Sequence, residues 1–261
     1  MNKYLSTVGL YARWNLYPVL VIILVTVLAA GIMTYRVPIG EVTENMGVDS
    51  ETGETMQAIT VYGKLEGVAA KGHAPVVCAA GFAAIAAVMS LTGCGYGVKS
   101  GYTVRRLRVK ERRAALLWSG YHAALLVIFW ALLAAVLYGV MALRLGADVT
   151  YEHANYHYGP QSLLLLCYDD TFLHHLIPLR DTAVWALGIT SVLAVSLSSV
   201  AFACCQRQGK FNVLILAAVG LTILSFFYDM GRDTLFILLV LLLAVAGGAL
   251  VTILRGDGDE T

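Results

Sequence analysis

Charged side chains are scarce in this chain. Asp, Glu, Lys and Arg make up 13% of its residues, against roughly 25% in an ordinary soluble domain. That scarcity excludes a large water-facing domain. Period-two alternation is also missing from its apolar runs, which excludes a β-barrel, whose strands alternate lipid-facing and lumen-facing residues. Cysteines number five. Cys78, Cys94, Cys204 and Cys205 fall within apolar runs or on the basic side of them, and Cys167 stands alone on the other side. No pair can be assigned, so a disulfide framework is excluded.

Continuous hydrophobic runs take up about half of the 261 residues. Six are long enough to cross about 30 Å of hydrocarbon: approximately Leu16 to Tyr35, Pro75 to Leu91, Ala114 to Leu143, Ala183 to Cys205, Phe211 to Tyr228 and Thr234 to Leu254. The expected fold is all-α, a polytopic helical membrane protein with six transmembrane helices in one domain over residues 1–261. The first run follows Lys3 and Arg13 and ends at Leu28-Ala29-Ala30, which a cleaved signal peptide also does. Its length favours a retained span.

Basic residues orient the spans. Twelve of the eighteen Lys and Arg residues lie on one side: Lys3, Arg13, seven between Lys99 and Arg113, Arg207, Lys210 and Arg255. Both termini are therefore expected in the cytoplasm, with the chain in the bacterial cytoplasmic membrane. Residues 36–73 and 144–182 become outer loops, and residues 93–113 a cytoplasmic segment.

Carboxylates are missing from all six runs. An ionisable group at mid-membrane costs several kcal/mol and marks an ion or proton path. Here only His122 qualifies, near one end of the third run. A proton- or sodium-driven carrier lacks its usual groups, and no acid–base pair serves an intramembrane enzyme. No catalytic, cofactor or metal residues are assigned. A machine powered from its cytoplasmic face fits, as does a structural membrane protein.

One glycine is missing from a near-motif. Gly93-Cys94-Gly95-Tyr96-Gly97-Val98-Lys99-Ser100 matches the phosphate-loop pattern G-x-x-x-x-G-K-[ST] except at Val98. A true phosphate loop joins a strand to a helix and needs glycine's freedom at that position. The preceding "CAAGFAAIAAVMSLT" reads as a membrane helix, so a glycine-rich exit from the second span is expected and nucleotide binding by this chain is not.

Beyond the glycines, "TVRRLRVKERRAALL" carries most of the cytoplasmic charge. Positive-inside topology and anionic lipid account for the charge alone. Val104, Leu107 and Val109 punctuate it as in a short amphipathic helix with one face to bury. The third run, thirty residues at 1.5 Å each, reaches about 45 Å and projects beyond the hydrocarbon.

With six spans and both termini inside, the connection "RRLRVKERRAALLWSGYHAALL" resembles that of the permease subunits of bacterial ABC transporters of the type-2, exporter-like class. In that family an "L-P-x-S-R-R-x-x-x-x-x-K" type connection between spans two and three is the coupling helix that docks on a separate ATPase. The resemblance places Leu107, Arg108, Val109, Lys110, Glu111, Arg112 and Arg113 at the ATPase-binding position. It implies an ABC-type ATPase, a second permease subunit of the same or a different chain, and the lipid bilayer as partners, with no nucleic acid. Hydrolysis then belongs to the ATPase and not to this chain. The resemblance is to an atypical member, or to one of two unlike permease subunits, because the longest outer loops follow spans one and three. The alternative is a non-transporting accessory or assembly subunit.

The outer loops hold ligand-type residues without a ligand motif. His153 and His157 are four apart, but Ala154 stands where HExxH needs glutamate. Glu152, Asp169, Asp170, His174 and His175 complete the set. Phe172, Leu173, Leu176 and Ile177 share one helical face, which predicts a helix in the outer membrane interface that caps a translocation path. A small hairpin is expected within "AITVYGKLEGVAA", and the tail "RGDGDET" reads as solvated. Ala79, Ala83 and Ala87, with Ala244 and Gly248, form small-xxx-small stripes expected to pack helices within the chain.

Overall fold

The computed structural model describes residues 3–37, 43–48, 55–59, 68–94, 111–148, 170–178, 181–227 and 232–255. Its helices are α1 (Lys3–Arg36), α2 (Val68–Lys71), α3 (Ala74–Gly93), α4 (Glu111–Asp148), α5 (Thr171–Leu176), α6 (Thr182–Arg207), α7 (Leu214–Phe227) and α8 (Arg232–Arg255). A two-stranded antiparallel hairpin, β1 (Thr43–Val48) and β2 (Thr55–Ile59), pairs Thr43 with Ile59 and Val48 with Thr55.

Helices α1 and α8 each bury one narrow stripe. On α1 it is Val19, Ile23, Val27 and Ala30; on α8 it is Leu235, Leu238, Leu242, Ala246 and Ala249. Steps of three and four residues keep such side chains on one face of a 3.6-residue helix. The opposite faces stay apolar and exposed, with Leu24, Val25, Leu28 and Ile32 on α1 and Phe236, Ile237 and Leu243 on α8. Apolar area on that scale is untenable in water and natural against lipid. Helices α1, α3, α4, α6 and α8 are each long and apolar enough to cross a membrane. The protein is a membrane-embedded helical bundle.

At 14 residues, α7 is about 21 Å long. Even so, it follows much of α6. Asn212, just before it, donates its Nδ2 to Cys205 Sγ at 3.7 Å. At its other end Phe226 lies 6.3 Å from Trp130, the ring that rests on Gly188. From Gly188 to Cys205 is about 26 Å along α6.

Helix α6 is the centre, touching α3, α4, α7 and α8. Small residues make this geometry possible: Gly188, Ser191, Ala194, Ser198 and Ala201 are all buried on it. In lipid, close backbone approach replaces the hydrophobic drive that water supplies. At the far end from the N-terminus of α4, Arg144 Nη1 donates to the carbonyls of Thr34 (3.3 Å) and Val37 (2.6 Å), and its guanidinium lies 5.5 Å from the Tyr35 ring centre. Terminal helix carbonyls lack partners within the helix, and a cation there also meets the negative end of the helix dipole.

Several sequence expectations change. All six apolar runs lie on helices, but the first helix begins well before Leu16, at Lys3, and the fifth is shorter than a full span. A hairpin forms from β1 and β2, upstream of the expected one; of "AITVYGKLEGVAA", residues 60–67 lie outside the described residues and the last three are helical in α2. The alanine stripe of α3 is not its packing face: Ala87 is exposed, and Cys78, Ile85 and Met89 are buried instead. There the close approach to α1 is made by Gly81, against Thr26. On α8, Ala244 is exposed and Gly248 half-buried. Cys78, Cys94, Cys204 and Cys205 are free.

Candidate functional site

Two regions of the bundle hold chemistry. The first lies toward the end where α4 begins. Asn15 on α1, His122 on α4 and Ser199 on α6 are buried and form one hydrogen-bonded chain. Its direction follows from the last member. The Ser199 hydroxyl donates to the Ser196 carbonyl at 2.9 Å, so it accepts from His122 Nδ1–H at 2.8 Å. Asn15 Nδ2, which can only donate, faces Nε2 at 3.2 Å, so Nε2 is the acceptor there. The imidazole is thus held neutral, with its proton on Nδ1. Asn15 Oδ1 has no partner among the described residues.

Aromatic rings close around this chain. The Trp118 ring meets the imidazole edge to face at 5.0 Å, and Tyr121 lies 6.0 Å away. The Arg207 guanidinium sits 5.8 Å from the Trp118 ring centre, within cation–π range. A neutral imidazole gripped at both nitrogens carries no mobile proton. The arrangement fixes the mutual rotation of α1, α4 and α6.

The second region lies toward the opposite end. A cavity of about 50 Å³ opens between α3, α4, α6 and α7 and is closed by α5. Phe82, Phe129, Trp130, Phe172 and Phe226 supply its rings. Helix α5 is a plug: Phe172, Leu173, His175 and Leu176 are buried. Trp130 Nε1 donates to its Leu176 carbonyl at 2.7 Å. Asp170 stands at the N-terminus of α5. Its carboxylate caps α5, accepting from the Phe172 and Leu173 amides at 3.1 Å each, and is itself buried. An N-cap side chain neutralises orphan helix amides, so a carboxylate here can enter the bundle at low cost. His175 is buried too, with Nδ1 2.7 Å from the Thr171 carbonyl.

Of the expected ATPase-binding residues, Leu107, Arg108, Val109 and Lys110 lie outside the described residues, while Glu111, Arg112 and Arg113 form the first turn of α4. Arg112 and Arg113 are exposed. The near-phosphate loop falls outside as well beyond Cys94; the element leading into it is the helix α3. Glu152, His153, His157 and Asp169 are likewise outside. Among the described residues no group of three His, Cys, Asp or Glu side chains is placed to hold a metal.

Sequence reasoning missed the Asn15–His122–Ser199 chain, because its members are 107 and 77 residues apart. The available signal was a lone histidine in an apolar run, which in a membrane needs polar partners. No protein-family model, no curated protein and no solved structure matches this chain.

Proposed function

We propose that the chain is a permease subunit of an ATP-driven transporter. It spans the bacterial cytoplasmic membrane six times and works with a separately made ABC-type ATPase and a second permease subunit. Helix α7 is the sixth crossing. Residues 208–213 and 228–231 are short links, and short links make neighbouring helices antiparallel. A hydrophobic helix shorter than the bilayer is accommodated by local thinning.

The observation that carries this reading is the reach of α4. Its 38 residues make about 57 Å of helix, nearly twice the hydrocarbon thickness. It starts directly after the basic run, with Arg112 and Arg113 exposed on its first turn. The same rigid helix carries His122, which is tied to α1 and α6, and then Leu126, Phe129 and Trp130 in the cavity wall. Force applied at Glu111 to Arg113 therefore reaches the polar chain and the cavity through one element. No ionisable pathway is needed, because the energy enters at the cytoplasmic face.

Two measurements test it. A reporter fused after Arg106 or at the C-terminus reads cytoplasmic, and one after Ser50 or Tyr156 reads external. An external signal near Arg106 overturns both the topology and the coupling role. Leu107→Asp releases the ATPase or uncouples its hydrolysis while the chain still inserts. Loss of an interface anchor costs about 1–2 kcal/mol or more, or about five- to thirty-fold in affinity. Arg105→Ala, removing one rim charge among several, has a milder effect. The readout is co-purification and ATPase activity of the complex in nanodiscs. A Leu107→Asp chain indistinguishable from wild type, or a wild-type chain that brings down no ATPase, transfers the assignment to the accessory subunit.

A further inference from the structure

Carbon lines almost all of the cavity beside Trp130. Two hydroxyl residues stand in its wall, and neither opens onto it. Thr222 donates to the Ala218 carbonyl four residues back at 2.8 Å. Ser191 Oγ is buried, with almost no accessible surface of its own. Water is thereby excluded as an occupant, since a buried water needs about two to four polar partners. An empty space would cost the wall the dispersion contacts that close packing supplies. In a soluble protein that cost stands, because water does not fill an apolar hole. Here the surrounding medium is hydrocarbon, as apolar as the wall, and it can enter without desolvating a polar group.

Size and depth narrow the occupant. One water-sized group needs roughly 10–15 Å³ of such space, so about 50 Å³ holds some three or four methylene groups. Phe82 on α3, Phe129 on α4, Ser191 on α6 and Thr222 on α7 each lie within about 6 Å of the middle of their helices, at 1.5 Å per residue. That is the depth at which the ends of lipid acyl chains meet. The cavity is partly open, and its wall residues Ala79, Phe82, Val192, Ile223 and Phe226 are half-buried. Lipid chains surround the bundle at high concentration, so even a weak site for them is filled by mass action.

We propose that the cavity is a binding site for the end of a phospholipid acyl chain. About three or four terminal carbons, the number that the volume admits, lie against the rings of Phe82, Phe129, Trp130, Phe172 and Phe226. The headgroup stays at the bilayer surface. This site does not rest on the ATPase reading, and its test uses no ATPase.

The test is photolabelling of the full chain in nanodiscs with phosphatidylglycerol carrying a diazirine near the methyl end of one acyl chain, mapped by mass spectrometry. The buried wall residues Cys78, Phe129 and Leu133 acquire adducts, as does the exposed Leu24 of α1. Leu242 of α8, buried away from the cavity, does not. The same lipid with its diazirine beside the ester carbonyl leaves the three wall residues unlabelled. Ala79→Leu and Val192→Phe, each adding carbon to the wall, remove the wall adducts and keep those at Leu24. Ser191→Ala leaves all adducts in place, because its hydroxyl does not face the occupant. Melting temperature and gel-filtration profile verify folding, and the two probes on the wild-type chain decide the matter if neither filling variant folds. Adducts confined to exposed residues such as Leu24, or equal labelling of the wall by both probes, overturn the proposal. So do wall adducts that vanish with the Ser191 hydroxyl.

Discussion

Gly188→Val is expected to deplete the folded protein more than any other single change on α6. A Cβ at position 188 would run into the Trp130 indole, which occupies that space. The ring has little freedom to retreat, because its Nε1 is held by the Leu176 carbonyl at 2.7 Å and its face meets Phe226 at 6.3 Å. Overpacking a tight core costs about 1–3 kcal/mol for a methylene or so. A branched side chain against a fixed indole belongs at or above the top of that range. Gly247→Val is the control, since Gly247 is exposed and nothing lies near its Cβ position. The measurement is thermal unfolding in detergent with folded yield by gel filtration. Comparable behaviour of the two variants would mean that Trp130 does not pack against Gly188. Pairing Gly188→Ala with Trp130→Leu should cost less than the sum of the single changes, because contacting residues are not additive.

That pair also shows what the sequence carried and what it withheld. Continuous apolar runs set the positions of the long helices, because length and hydropathy are local properties. Packing faces were less legible. The alanines of α3 satisfied the small-xxx-small pattern, yet Ala87 is exposed and Ala79 and Ala83 are half-buried, while Cys78, Ile85, Ala86 and Met89 are buried. Which face turns inward depends on where α1 and α6 stand, and no local pattern records that. The burial of Asp170 was not legible either: its carboxylate turns back onto the α5 amides and travels with the helix into the bundle. The ATPase-binding segment was read from charge and resemblance, and its residues 107–110 lie outside the described ones. Asn15 was set before the first span because Leu16 opens the apolar run. The helix begins earlier, at Lys3, which brings Asn15 to the depth of His122.

His122→Leu is expected to destabilise the bundle by about 2–3 kcal/mol, although leucine suits a membrane helix better than histidine. Single interhelical hydrogen bonds in membranes average only about 0.6 kcal/mol, so the two lost bonds do not account for that figure. The larger part comes from what is stranded. Asn15 is 1% exposed, its Oδ1 already lacks a partner among the described residues, and its amide would lose His122 Nε2 as well. A buried polar group left without a partner costs about 1–3 kcal/mol. Asn15→Leu added to His122→Leu should therefore restore much of the stability, since replacing both partners by apolar groups is nearly neutral. Such a rescued chain separates stability from positioning. If the polar chain locks the rotation of α4 against α1 and α6, the double variant is stable yet shows altered hydrolysis in the proposed complex with an ATPase. Stability that falls by the sum of two independent losses would instead show that Asn15 and His122 do not act through each other.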